Sequence, residues 1–196
     1  MCAVANRLGI KRIAVLSGVP GGGPHDRVPN WIVPSILDGL DHAYRWQWEK
    51  KLIPYWREAC DVAAVSDVTI CMEPIAGLIV YNGETFLRLR EACGDNLCVT
   101  FDPSHFWWQG IDPLVLVEQL QGAIGYVHAK DVALNTRAIA CKGSYRRVAM
   151  TTGVHGPGPT ARSALDIRSP FGRTSSRCFD AAAMTTSSRS NRRSPS

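Results

Sequence analysis

The chain has 196 residues, 45% of them hydrophobic and 20% charged, proportions of a globular protein with a sizeable core rather than a fibrous or disordered one. No apolar run approaches the roughly 20 residues that cross a bilayer, and the N-terminus lacks the basic, apolar and cleavage regions of a signal peptide, so a cytoplasmic protein without membrane contact is expected. The net charge of +5 averages two unlike pieces: residues 1–140 hold 12 Lys and Arg against 15 Asp and Glu, residues 141–196 hold 10 against 2.

In chain order, Ile10–Leu16 predicts a strand that ends in Ser17-Gly18 and the loop Pro20-Gly-Gly-Gly-Pro24. Those glycines either let the backbone approach a ligand or simply make the loop flexible. From Tyr44 to Ser66, Trp46, Leu52, Ile53, Trp56, Cys60 and Ala63 recur at a helical period, and Pro54 is placed to kink or restart the helix. Val68–Met72 predicts a second strand, ending in Glu73-Pro74. Asn82 suits the N-cap of a helix with Phe86, Leu89 and Cys93 on one face and Gly94 just past its end. Leu97–Phe101 predicts a third strand, apolar enough to be covered on both faces, and Asp102-Pro-Ser-His105 follows it. Asp112-Pro113 opens a helix through Leu116 and Leu120 that stops at Gly122. Ile124–Val127 is a fourth strand, ending in His128-Ala-Lys-Asp131. The seven cysteines are odd in number and contain no C-x-x-C, which points to free thiols and not to a disulfide scaffold or zinc ribbon.

Four short strands alternating with helices predict an α/β fold with a parallel sheet. Each of the last three strands ends in ionisable side chains: Glu73, then Asp102 and His105, then His128, Lys130 and Asp131. In a parallel barrel the C-terminal strand ends share one rim, so residues about 30 apart in sequence converge there. Two carboxylates and two imidazoles suit Mn²⁺, Co²⁺, Fe²⁺ or Zn²⁺ better than Ca²⁺, which wants oxygen alone. Such an ion polarises a carbonyl or hydroxyl while a carboxylate moves the neighbouring proton, which is enolisation chemistry. Other readings stay open residue by residue. Asp102 reads equally as a turn cap beside an ordinary His105; Lys130 as a donor to a substrate oxygen or as a partner of Asp131; Trp107-Trp108 as a platform for a sugar ring or as a wedge holding a loop.

Trp46-Gln-Trp48, Ile53-Pro-Tyr-Trp56, Met72-Glu-Pro74, Phe101-Asp-Pro-Ser-His105, Trp108-Gln-Gly-Ile-Asp-Pro113 and Val127-His-Ala-Lys-Asp131 together resemble the sugar phosphate isomerase/epimerase family of xylose isomerase-like (β/α)8 TIM barrels, over roughly Leu8 to Ala140. That family also includes inosose dehydratases and, more distantly, apurinic endonucleases. The resemblance implies a metal-dependent sugar or sugar phosphate isomerase or epimerase. Its metal ligands would be Glu73, Asp102 and His128, for Mn, Co, Mg or Zn. Glu73, doubling as the proton-transfer carboxylate, His105 and Lys130 would be catalytic; His105, Trp108 and Lys130 would bind the sugar, with His105 alternatively an extra metal ligand. The alternatives are an inosose dehydratase-like lyase, an apurinic endonuclease-like hydrolase and an inactive sugar-binding remnant.

The family's last-strand glutamate has no counterpart, and a barrel of this type runs to about 250 residues. Residues 1–140 are therefore expected to be a partial TIM barrel, about the middle strands only. From Cys141 the chain turns to Arg, Ser, Thr and Pro, a non-native-looking, low-complexity tail over 141–196 that is expected to be disordered. Reading the permitted codons of Ala183–Asn191 one base earlier allows Gly-Tyr-Asp-Asp-Val-Leu-Ser-Ile-Glu, which resembles the missing last strand. The tail thus reads as a frameshift product. With few aromatics to stack bases and no basic helical stripe, it implies no nucleic-acid partner, and such a truncated chain is not expected to be a stable active enzyme.

Overall fold

The computed structural model describes residues 1–33, 37–144 and the strand 160–163, with backbone alone at Asp131, Ala133 and 160–163. Helix α1 (Cys2–Arg7) precedes β1 (Arg12–Val15). This strand is shorter than Ile10–Leu16 because its ladder with the next strand pairs only Arg12 with Thr69 through Val15 with Met72. Helix α2 (Asp38–Trp46) continues into a π-helical turn (Gln47–Leu52) and then α3 (Ile53–Val65), with Pro54 in the first turn of α3. Proline has no N–H to donate backwards, so the helix restarts there, and the wider turn just before it takes up the mismatch. That turn also under-winds the face. Gln47 and Trp48 are buried together with Leu52, Trp56, Cys60 and Ala63, whereas Trp46, expected on this face, is only half-buried.

Strand β2 (Thr69–Met72) leads to α4 (Gly83–Cys93) and β3 (Leu97–Phe101). Asn82 caps α4 through a reciprocal pair: its Oδ1 accepts from Thr85 N–H at 2.9 Å, and Thr85 Oγ1 accepts from Asn82 N–H at 3.2 Å. Gly94 ends the helix at φ 88°, a backbone angle that costs glycine little. All five residues of β3 are buried, and its one hydroxyl, on Thr100, donates to the Cys71 carbonyl at 3.0 Å. Then follow α5 (Ser104–Trp107), α6 (Pro113–Gln119), β4 (Ile124–Val127), β5 (Lys130–Ala133), α7 (Thr136–Lys142) and β6 (Thr160–Ser163). Asp112 caps α6 by accepting from Leu114 N–H at 2.8 Å. Lys130 and Asp131, expected in the loop after β4, belong to β5 instead.

The chain divides into two units, Met1–Phe101 with Leu120–Tyr126, and Asp102–Gln119 with Val127–Ser196. The first contains a four-stranded sheet in the order β1-β2-β3-β4, in which β1, β2 and β3 run parallel and β3 meets the chain entering β4 through Val99 N–H and Ala123 O at 2.8 Å. Its core gathers Trp48, Val68, Met72, Val80, Phe86, Leu89, Leu97, Val99 and Phe101, each essentially inaccessible. In the second unit Phe106, Leu116, Val117 and Val132 are buried, and β5 pairs antiparallel with β6. The parallel sheet with helices between its strands is the expected α/β architecture. Residues 34–36, 145–159 and 164–196 lie outside the described residues, and with them most of the tail expected to be a disordered frameshift product; within that tail α7 runs through Lys142 and Thr160–Ser163 form a paired strand. No helix among the described residues is long and apolar enough to cross a membrane.

Candidate active site

Glu73 stands immediately after β2, and its N–H donates to Val15 O at 2.9 Å, so the backbone at this carboxylate is held by the sheet. Asp102 stands immediately after β3. A buried strand that ends in a carboxylate brings a charge to the edge of the core, and the charge must then be satisfied locally. At Asp102 the two oxygens are treated differently. Oδ1 accepts from Ser104 N–H at 2.9 Å and from Ser104 Oγ–H at 2.6 Å, the short distance of a charge-assisted bond. Oδ2 is buried and accepts no aligned hydrogen bond among the described residues.

Nitrogen atoms surround that second oxygen. Lys130 Nζ lies 3.0 Å away, near enough for ion pairing though not aligned as a hydrogen bond. His105 Nε2 lies at 3.6 Å and His128 Nδ1 at 4.0 Å, both beyond hydrogen-bond length. Lys130 Nζ is also 3.0 Å from His105 Nε2. An ammonium only donates, so in this contact Nε2 is on the accepting side. Lys130 therefore bridges Asp102 and His105. Asp102 is 1% exposed, His105 18%, Lys130 35% and His128 38%, so exposure rises from the carboxylate outward through the nitrogen groups.

Four of the residues expected from sequence, Asp102, His105, His128 and Lys130, thus come together. Lys130 pairs with Asp102; its other expected partner, the Asp131 side chain, lies outside the described residues. Trp108 follows α5 and is half-buried, as is Trp107. Sequence reasoning missed two residues. Ser104 occupies Asp102 Oδ1, and Gln109 donates from Nε2 to the His105 carbonyl at 2.6 Å, fixing the backbone that carries the imidazole. The Asp-Pro-Ser pattern held the signal for Ser104, since an aspartate often accepts from the backbone two residues on. Gln109 gave no comparable signal.

A family model described as xylose isomerase-like TIM barrel matches residues 1–168. The chain belongs to the xylose isomerase-like TIM barrel family. This xylose isomerase-like chain is 39% identical over 146 residues to the uncharacterized protein YfiH of Bacillus subtilis (strain 168), covering 71% of the chain and 46% of that relative, so it spans about half the length of the curated relative it matches. Among solved structures it resembles the probable 3-DHS dehydratase AsbF of Bacillus anthracis, with a TM-score of 0.52 and 18% identity over 71% of the chain and 44% of AsbF. A D-tagatose 3-epimerase-like protein aligns with a TM-score of 0.47 and 20% identity, over 65% of the chain and 44% of that protein. The likeness to AsbF is one of fold.

Proposed function

We propose that the chain is an incomplete fragment of a metal-dependent isomerase or epimerase of a small sugar or sugar phosphate, which acts by proton abstraction next to a carbonyl, with Glu73, Asp102 and His128 holding the ion. The observation that carries the reading is Asp102, a buried carboxylate whose Oδ2 accepts no hydrogen bond among the described residues and is ringed by imidazole and ammonium nitrogens. A buried carboxylate oxygen without an aligned donor is costly in a structural role and suited to a cation. The parallel register of β2 and β3 puts their C-terminal ends at one sheet edge, and Glu73 and Asp102 are the residues that follow those ends. One imidazole and two carboxylates fit Mn²⁺, Co²⁺, Mg²⁺ or Zn²⁺.

Such an ion, when bound, polarises a substrate carbonyl or hydroxyl and makes the adjacent carbon acid stronger. Glu73 serves as the carboxylate that takes and returns the proton. Lys130 donates to the substrate oxygen on which negative charge gathers, and it is already oriented by Asp102 and His105. His105 contacts a sugar hydroxyl, and Trp108 offers a face to the ring. A nuclease role fits less well, because residues 1–140 carry more acidic than basic side chains while phosphate backbones call for a basic surface.

The test is solvent hydrogen exchange in D2O over a panel of aldoses, ketoses and their phosphates, read by NMR together with metal content. Metal-dependent deuterium uptake next to a carbonyl is expected, reduced about 100-fold or more in Glu73→Gln. Unchanged metal content in Asp102→Ala, or cleavage of abasic DNA with no exchange from any sugar, overturns the reading.

A further inference from the structure

We infer that Ser104 is a positioning residue that makes Asp102 a one-oxygen ligand. This rests on the reading of Asp102 as a metal ligand. A free carboxylate presents two equivalent oxygens and can clasp an ion with both. Asp102 cannot do so without breaking two bonds, because Ser104 holds Oδ1 through its hydroxyl at 2.6 Å and its backbone N–H at 2.9 Å. The hydroxyl has this orientation built in: Ser104 is 3% exposed and Asp102 1%, so water does not compete for Oδ1. Lys130, His105 and His128 all approach Oδ2. One carboxylate is thus split into an oxygen that serves the fold and an oxygen that serves the site.

Two consequences follow from the chemistry. Donation by Ser104 draws electron density toward Oδ1 and fixes the carboxylate plane, so the entropy of orienting the ligand is lost on folding and not on ion binding. With Oδ1 held by Ser104, Asp102 would offer an ion Oδ2 alone. Removing the hydroxyl leaves Oδ1 with the backbone N–H alone, and the carboxylate can then rotate until both oxygens face the ion.

The test is Co²⁺ titration of the full 196-residue chain, read by visible absorption, with far-UV circular dichroism as the check on folding and Asp102→Ala as the control. Ser104→Ala is expected to weaken Co²⁺ binding about 10- to 100-fold and to alter the band position and intensity as the second oxygen enters. Ser104→Thr, which restores a hydroxyl, is expected to return the wild-type spectrum. If Ser104→Ala loses its far-UV signal, Ser104→Gly carries the same expectation. Wild-type affinity and spectrum in the variant that lacks the hydroxyl overturn the inference while Asp102→Ala still abolishes binding. Absence of Co²⁺ binding in the wild type, or binding unaffected by Asp102→Ala, instead overturns the metal reading on which it rests.

Discussion

Lys130 Nζ lies 3.0 Å from Asp102 Oδ2 and 3.0 Å from His105 Nε2, so one ammonium links a carboxylate and an imidazole that stand three residues apart. Breaking a fully buried ion pair by removing one partner costs about 3–5 kcal/mol. Lys130 is 35% exposed, and water offsets part of that loss. Lys130→Met is therefore expected to destabilise the protein by about 1–3 kcal/mol in urea denaturation. A variant as stable as the wild type would show that the pair contributes nothing to the fold.

Gln47 anchors the glycine-rich loop. Its Nε2 faces the carbonyls of Pro20 at 3.1 Å, Gly21 at 3.1 Å and Asn30 at 2.6 Å, and the side chain is 1% exposed. Gln47→Leu removes these donors, while the Pro20 carbonyl keeps the Asn30 N–H, for an expected loss of about 2–3 kcal/mol. Gln47→Glu replaces donors with an acceptor and should be at least as harmful. Limited proteolysis between Gly18 and Asn30 should accelerate in both variants.

Gly125 is held to glycine by the sheet itself. A Cβ there would stand 2.6 Å from Cys98 Cβ and 2.8 Å from Cys71 Sγ, closer than carbon and sulfur atoms pack. Gly125→Ala is expected to cost about 1–3 kcal/mol, measured by thermal or chemical unfolding. Cys71→Ala in the same chain should recover part of it, because one of the two clashing atoms is gone.

The neighbouring thiols of Cys60 and Cys93 drive each other apart in acidity. Cys93 is lowered, first by Cys60 and less by the Arg57 guanidinium; Cys60 is raised, first by Cys93 and then by burial. Burial also pushes the Cys71 thiol up to about 12. Iodoacetamide reacts with thiolates, so Cys93 should be alkylated ahead of Cys60 and Cys71 at neutral pH. Its rate should fall only below the ordinary thiol range. Peptide mass spectrometry over a pH series reads both, and equal labelling of Cys60 and Cys93 would contradict the assignment.

The sequence by itself determined the features that depend on near neighbours along the chain. The run Leu97–Phe101 became β3 with its predicted bounds, because a strand buried on both faces needs a near-continuous apolar run, with the one hydroxyl, on Thr100, satisfied by the Cys71 carbonyl. Asn82 and Gly94 bounded α4, and Asp112 capped α6, because capping joins residues two or three apart. That ionisable side chains follow β2, β3 and β4 was legible for a related reason, because each stands directly after an apolar run in the sequence. Tertiary structure decided what depends on distances across the fold. The π-helical turn ahead of Pro54 put Trp48 in the core where a regular helical period favoured Trp46. The antiparallel pairing with β6 made a strand of Lys130–Ala133, whose own sequence alternates too briefly to announce one. Which oxygen of Asp102 faces the nitrogen donors was also beyond sequence, because the two are chemically identical until Ser104 closes on one of them.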